Sequence, residues 1–243
     1  YYNMHILITR QIEQSKKFSY LLKEKNIENS IFPVIRIKNI QIKKEDEENF
    51  EKSNFVIFTS QNSVTSLMKN WEDINFNGKK IAAIGESTKT ILNTFNINVD
   101  IVPKFNFTSE SLLEEIVENN INNKKIVIIK GLEGRNYLHK HLSRNNTVLN
   151  DINVYGRYLP ENIDKLTLDN MPNFTHVCIT SIEILNNFIK IKNILEFTIS
   201  KHIIFISGNE RISKKIKEEF PHNNVLISIN PTNKEMLKTI LEL

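Results

Sequence analysis

Short apolar runs that end in small polar residues constrain this chain most, because they come in matched pairs. FVIFTS (Phe55–Ser60) is answered by VCITS (Val177–Ser181), and IAAIG (Ile81–Gly85) by IIFISG (Ile203–Gly208). DIVPKFNFTSESLLEEI, from Asp100, is answered by LISINPTNKEMLKTI, from Leu226, and HILITR…FSYLL by KIVIIKG…YLHKHL. Similarities in one order at a nearly constant offset indicate a duplicated α/β unit of five strands. A continuous apolar run with no alternation suits a strand buried on both faces of a parallel sheet. Segments with helical spacing follow these runs, such as Ile12–Lys25 with Phe18, Leu21 and Leu22 on one side. Each unit is therefore expected to be an open parallel sheet with helices on both faces.

In order, strands are expected at His5–Thr9, Ser30–Ile37, Phe55–Phe58, Lys80–Ile84, Val99–Val102, Lys125–Ile129, His176–Ile179, His202–Ile206 and Val225–Ile229. Thr147–Tyr158 reads as extended, and Pro33 pushes part of its own strand toward an edge or a linker. Helices are expected over Thr108–Val117, capped by Thr108 or Ser109, and from Pro231-Thr232 to Leu243. Periodicity leaves two arrangements open: sequential units near 1–121 and 125–243, or units that exchange segments, the first two strands pairing with the last three.

In open parallel sheets ligands bind beyond the carboxyl ends of the strands, where helix N-termini present free N–H groups. Thr59-Ser60, Ser87-Thr88, Thr180-Ser181 and Ser207 lie at those ends, with Arg10 and Lys130 at equivalent ends of the two units. Such positions suit carboxylates or phosphates; taken singly, each Ser or Thr reads as well as an ordinary helix cap. Neither a dinucleotide G-x-G-x-x-G nor a P-loop is present, and Gly131 and Gly134 in KGLEGR are too weak a match. No metal set or nucleophile elbow is spaced along the chain, so neither a metal nor a cofactor is expected. The single cysteine, Cys178, excludes an internal disulfide and reads as a buried strand residue. A net charge of +4, with both signs interleaved, argues against nucleic acid as a partner. No apolar run is long enough to span a bilayer and no export signal is seen, so no membrane partner and a cytoplasmic setting are expected. With no strong apolar interface pattern, a monomer is expected.

Tyr155, in NVYGRY (Asn153–Tyr158), is either packing or a hydrogen-bonding general acid. Two lobes are expected to meet near this stretch, with Tyr155 facing the cleft. The ordered set ILITR, IFP, FTSQNSV, AAIGEST, FTSESLLEEI, VIIKGLEGRNYL and VYGRY, covering nearly the whole chain, resembles the uroporphyrinogen-III synthase family. The resemblance implies two lobes, each an open parallel, flavodoxin-like sheet with helices on both faces, joined by two extended linkers. The first, discontinuous lobe would be 1–36 plus 159–243, the second 48–150, with 37–47 and 151–158 as crossing linkers. It implies a cofactor-free enzyme, a cyclising hydro-lyase of haem biosynthesis. This would close the polyanionic linear tetrapyrrole hydroxymethylbilane to uroporphyrinogen III, losing water and inverting ring D. By the match, Tyr155 would donate a proton to the departing hydroxyl. Substrate contacts would come from Arg10, Thr59, Ser60, Gln61, Gly85, Ser87, Thr88, Lys130, Gly131, Thr180, Ser181, Gly208 and Asn209, many through main-chain N–H. Gln11 stands where the family commonly has proline, and Gly208-Asn209-Glu210-Arg211 replaces a glycine followed by threonines. A non-enzymatic two-lobed anion-binding protein and a sugar-nucleotide transferase share this fold, so the fold cannot separate them.

Overall fold

The computed structural model describes residues 4–119, 124–143, 147–161, 163 and 173–242. The chain divides into two compact units, one made of Tyr1–Arg36 and Tyr158–Leu243, the other of Ile37–Arg157. Among the described residues no helix is long and apolar enough to cross a membrane.

The first unit holds strands β1 (His5–Ile8), β2 (Glu28–Ile31), β8 (His176–Ile179), β9 (Ile204–Ser207) and β10 (Val225–Ile227), in the order β10-β9-β8-β1-β2. Every neighbouring pair in this sheet is parallel. Alternation along each strand sends residues to opposite faces. Leu7, Val177, Ile179 and Phe205 pack against α7 (Ile182–Ile194) and α8 (Glu210–Glu219). Ile6, Ile8, Cys178 and Ile206 pack on the other side against α1 (Ile12–Lys23) and α9 (Asn233–Leu241). Each fully buried aliphatic side chain contributes about 1.5–3 kcal/mol, which is why the centres of β1, β8 and β9 are apolar, with polar residues confined to their ends.

The second unit holds β3 (Arg36–Asn39), β4 (Phe55–Phe58), β5 (Lys80–Ala83), β6 (Lys125–Gly131) and β7 (Val148–Tyr158), in the order β3-β7-β6-β4-β5. β4 pairs parallel with both β5 and β6, and β6 parallel with β7. Val56, Phe58, Ile81, Val127 and Ile152 face α2 (Lys44–Glu51), α3 (Gln61–Asn70) and α4 (Glu86–Thr94) through Phe50, Val64, Leu67 and Leu92. Phe55, Ile57, Ala82, Ile126 and Ile128 face α5 (Ser109–Glu118) and α6 (Tyr137–Leu142) through Leu112, Ile116, Leu138 and Leu142. Lys79 closes the C-terminal end of α2. Its Nζ donates to the carbonyls of Phe50, Glu51 and Ser53 at 2.8, 3.0 and 2.8 Å, at the end where a helix's last carbonyls lack intrahelical partners.

The sequence pairings carry over to strand order and helix face. Reading β2-β1-β8-β9-β10 beside β7-β6-β4-β5, with Ile101 bridged to Ala82 on the far edge of β5, puts each matched run in the same place. The helices α3 and α4 share one face, as α7 and α8 do; α5 and α6 share the other, as α9 and α1 do. β1 is hydrogen-bonded to β8 and β4 to β6.

Several segments differ from the sequence expectation. The strand expected over Ser30–Ile37 is divided: β2 ends at Ile31 and β3 starts at Arg36 in the other unit. Pro33 lies between them and, lacking an N–H, cannot continue a ladder; the flanking Phe32 and Val34 still donate to Ile8 and Thr9. Val99–Val102 forms a single bridge rather than a strand. Of 37–47, read as a linker, the first residues belong to β3 and the last to α2; 151–158, also read as a linker, makes up all but the first three residues of the eleven-residue β7. The ladder to β6 holds those residues, because their backbone groups find partners there. The last helix ends at Leu241, and position 243 lies outside the described residues.

Candidate functional site

In the second unit the carboxyl ends of β4, β5, β6 and β7 bring Thr59-Ser60, Gly85–Thr88, Lys130-Gly131 and Tyr155 to one edge of one sheet. Ser60 caps α3. Its Oγ accepts from the Ser63 N–H at 3.0 Å, while the Ser63 hydroxyl donates to the Ser60 carbonyl at 2.7 Å. An N-cap oxygen satisfies one of the helix's orphan donors, leaving the N–H groups of the first turn directed past the strand end. Thr59 Oγ1 donates to the Ile129 carbonyl at 3.2 Å and so ties this turn to β6.

Tyr155 lies 3.0 Å from Ser60, hydroxyl to hydroxyl, and is 3% exposed. A β-bulge sets this contact. β6 and β7 run in register until Lys130 meets Asn153, after which Gly131 meets Tyr155 and Val154 is the extra residue. Strict alternation would put Val154 and Tyr155 on opposite faces; the bulge lets both join Ile152 in one cluster. The ring lies on Gly131, where a Cβ would stand 2.6 Å from Tyr155 Cζ and 3.0 Å from its Oη. Arg157 covers the ring with its guanidinium 5.8 Å from the centroid.

The neighbouring turn is fitted in the same way. A Cβ on Gly85 would meet Phe107 at 2.8 Å, so the start of α4 needs glycine for contact rather than for backbone conformation. Thr88 is buried and donates its N–H to the Gly85 carbonyl at 3.0 Å, whereas Ser87 is exposed. Gln61 is half-buried at the first position of α3.

The first unit repeats this layout. Ser181 caps α7 by accepting from the Ile184 N–H at 3.1 Å, and Asn209 caps α8 by accepting from Ile212 at 3.0 Å. Thr180 is buried beside Gly208, whose missing Cβ admits Pro231 at 2.8 Å. Arg10 turns into its own unit. Its guanidinium donates to Asn233 Oδ1 at 2.6 Å and to the Pro231 carbonyl at 3.1 Å, while its buried Nε has no partner among the described residues. Burial pushes the Arg10 pKa down from the ordinary arginine value, the field of Cys178 opposing weakly.

Lys130 also turns inward, onto Asp151 and Asn136. His139 binds the other oxygen of Asp151, and His141 contacts the Tyr137 carbonyl at 2.8 Å. Among the described residues no group of three or more His, Cys, Asp or Glu side chains is placed to hold a metal ion. Ser63, Phe107, Asp151 and Arg157 escaped the sequence reading. Gly131 and Gly85 were the available signals, since a glycine at a strand end can mark the close approach of another residue.

The family model described as Uroporphyrinogen-III synthase HemD matches residues 16–238 of this chain. A Methanocaldococcus jannaschii protein provisionally named uroporphyrinogen-III synthase is 34% identical over 164 residues, covering 66% of this chain and 65% of its own length. The crystal structure of uroporphyrinogen-III synthetase from Helicobacter pylori 26695 superposes with a TM-score of 0.69 at 15% identity, covering 98% of this chain and 99% of that one. A mutant uroporphyrinogen III synthase from Thermus thermophilus gives a TM-score of 0.59 at 11% identity, with 98% of both chains covered. At those identities the two crystal structures speak to the fold, which is a two-domain α/β architecture with helix-flanked parallel sheets.

Proposed function

The chain belongs to the uroporphyrinogen-III synthase family, and we propose that it converts hydroxymethylbilane to uroporphyrinogen III with Tyr155 as the proton donor. The observation that carries the reading is the buried Tyr155 hydroxyl against the cap of α3. The Ser60 oxygen already accepts from Ser63, and its own proton remains free to point at Tyr155 Oη. In that arrangement the phenol proton is available to a ligand. Once it has left, the Ser60 O–H is placed to donate to the phenol oxygen.

The reaction balances without a cofactor. The carbon–oxygen bond of the hydroxymethyl group breaks, its electron pair leaves with oxygen, and Tyr155 supplies the proton that makes the leaving group water. Nitrogen of the adjacent pyrrole provides the electron push, leaving an azafulvene. Attack by the substituted carbon of ring D forms a spiro intermediate, which reopens and recloses with that ring inverted. A ring proton is then lost, and the same proton count returns Tyr155 to its neutral form. What the protein must supply is orientation, because direct closure without inversion competes; holding reactants in an attacking geometry can account for about 7–11 kcal/mol of barrier.

Within each unit the helix starts present N–H groups that favour negative charge of the kind the substrate's carboxylates carry, at the caps Ser60 and Gly85 in one and Ser181 and Asn209 in the other. Thr59, Gln61, Ser87, Thr88, Gly131, Thr180 and Gly208 flank those starts. The protein is proposed to work as a monomer, which sedimentation would check. The function is tested by generating hydroxymethylbilane in situ, adding the protein and separating the oxidised uroporphyrin isomers. Spontaneous closure gives isomer I, so isomer III in excess supports the proposal and isomer I alone overturns it.

A further inference from the structure

The turns that lead into α5 and α9 occupy equivalent places in the two units. Phe105, Asn106, Phe107 and Thr108 answer Ile229, Asn230, Pro231 and Thr232 in the paired runs that begin at Asp100 and Leu226. Thr108 and Thr232 cap the two helices. The residue before each cap covers a glycine: a Cβ would come within 2.8 Å of Phe107 at Gly85, and of Pro231 at Gly208. Three residues before each cap a large apolar side chain stands in the open, Phe105 at 80% exposure and Ile229 at 78%.

Pro231 shows that covering the glycine takes no aromatic ring. Phe107 does it with Cβ, Cγ and Cδ1, yet is 55% exposed, and neither it nor Phe105 joins the core clusters of its unit. Asn106, between the two rings, has φ 50°, and its carbonyl accepts from the Thr108 N–H at 2.8 Å. Asparagine is among the few residues suited to that left-handed conformation, so the turn is fixed with both rings outside the core.

This exposed pair stands at the edge that carries Tyr155. Ser60 and Gly85 each lie two residues past the last registered pair of β4 and β5, Phe58 and Ala83. Neighbouring strands run about 4.7–4.9 Å apart. The Tyr155 hydroxyl on Ser60 is therefore one strand away from Phe107 on Gly85. Two chemistries adjoin here: the starts of α3 and α4, whose N–H groups favour negative charge, and an uncovered aromatic surface. A flat apolar ring with carboxylate arms matches both, and the pyrroles of hydroxymethylbilane are such rings.

We propose that Phe107, with Phe105 beside it, is the surface on which one pyrrole of the substrate packs next to Tyr155. This rests on the proposed function and adds a substrate-binding residue to it. Packing of this kind holds the ring before and during the reaction alike, so its loss is read in KM rather than kcat.

Phe107→Leu keeps Cβ, Cγ and Cδ1, the atoms that meet Gly85, and removes the rest of the ring. Phe105→Ala removes the other ring. Phe95→Leu is the control, since Phe95 is exposed at the C-cap of α4, the end of that helix away from Gly85. The expected KM of Phe107→Leu is about 2- to 10-fold above wild type, the range of an aromatic pair, with kcat and Tm little changed and Phe95→Leu like wild type. In ring-labelled wild type, uroporphyrinogen III kept reduced should shift the signals that Phe107→Leu and Phe105→Ala lose, and leave that of Phe95 in place. An unchanged KM, unmoved signals, or an equal shift at Phe95, which is non-specific adsorption, would each overturn the proposal. So would a fall in kcat matched by a fall in Tm, which makes Phe107 packing only, or altered sedimentation of Phe107→Leu, which makes a second copy the occupant. If Phe107→Leu fails to fold, Phe105→Ala carries the same readouts. If the wild type yields no isomer III, the proposed function fails, while the titration with uroporphyrinogen III still decides whether these rings bind pyrroles.

Discussion

Gly131→Ala offers a one-methyl perturbation of the site. The added Cβ would stand 2.6 Å from Tyr155 Cζ, 2.8 Å from Cε2 and 3.0 Å from Oη. Carbon atoms prefer separations of about 3.5–4.0 Å, so the ring or the β6 backbone must give by about 1 Å. Gly131 is buried and paired to Tyr155 in the ladder, which leaves the ring as the softer partner. Its hydroxyl is 3.0 Å from Ser60, and a shift of that size takes it out of hydrogen-bond range. Overpacking of this kind costs about 1–3 kcal/mol of stability. Misplacing a reacting group by about 1 Å costs about 100-fold in rate. Thermal unfolding should therefore show a modest loss of stability, and the isomer assay should show a far larger loss of kcat, with KM little changed. A folded Gly131→Ala protein with wild-type kcat would refute the contact argument. It would show either that the ring is not seated on Gly131 or that its seat is irrelevant to turnover.

Ser60→Ala should lose about 1 kcal/mol with the α3 cap and also lower kcat, since the same oxygen faces Tyr155. Thr232→Ala, which uncaps α9, should lose stability alone when both are compared by denaturant melts and turnover. Lys79→Met removes a donor from the carbonyls of Glu51 and Ser53, and one of several from that of Phe50, so a loss of about 1–3 kcal/mol is expected in the denaturant midpoint. Burial pushes the Cys178 thiol up from 9.0 to about 12, against a weaker lowering by Arg10. The folded state therefore holds this proton more tightly than the unfolded chain. Stability from this group is complete below about pH 9 and declines as pH rises toward about 12, with alkylation at neutral pH confined to unfolded protein.

The sheets were legible because burial on both faces leaves a direct imprint: β4 is wholly apolar, β1 and β8 are apolar after an initial histidine, and all three are buried along their whole length. The duplication was legible for the same reason, since equivalent strands face equivalent surroundings. β7 lies within the stretch read as extended, Thr147–Tyr158, but 151–158 was assigned to a crossing linker rather than to the sheet. Asn150, Asp151, Asn153 and Gly156 weaken the strand pattern, and their retention in the ladder depends on β6. Val99–Val102 has strand-like residues but bonds to β5 through Ile101 alone, so local preference had too little pairing to act on. Helix caps at Ser60, Thr108, Ser181 and Thr232 were visible as small polar residues before helical spacing. Arg10 and Lys130 lie at equivalent strand ends as read, but their hydrogen-bond partners, Asn233 and Asp151, were not legible, because the fold brings them in from later in the chain. The bulge at Val154 leaves no mark in the sequence, yet it decides which face Tyr155 occupies.

The most direct measurement is the isomer III yield of wild type and Tyr155→Phe, side by side, from hydroxymethylbilane generated in situ. Phenylalanine keeps the ring on Gly131 and removes only the hydroxyl at Ser60. The expected result is isomer III from the wild type and mainly isomer I from the variant, as uncatalysed closure overtakes it. Equal isomer III yields at equal rates from the two would contradict the role given to Tyr155.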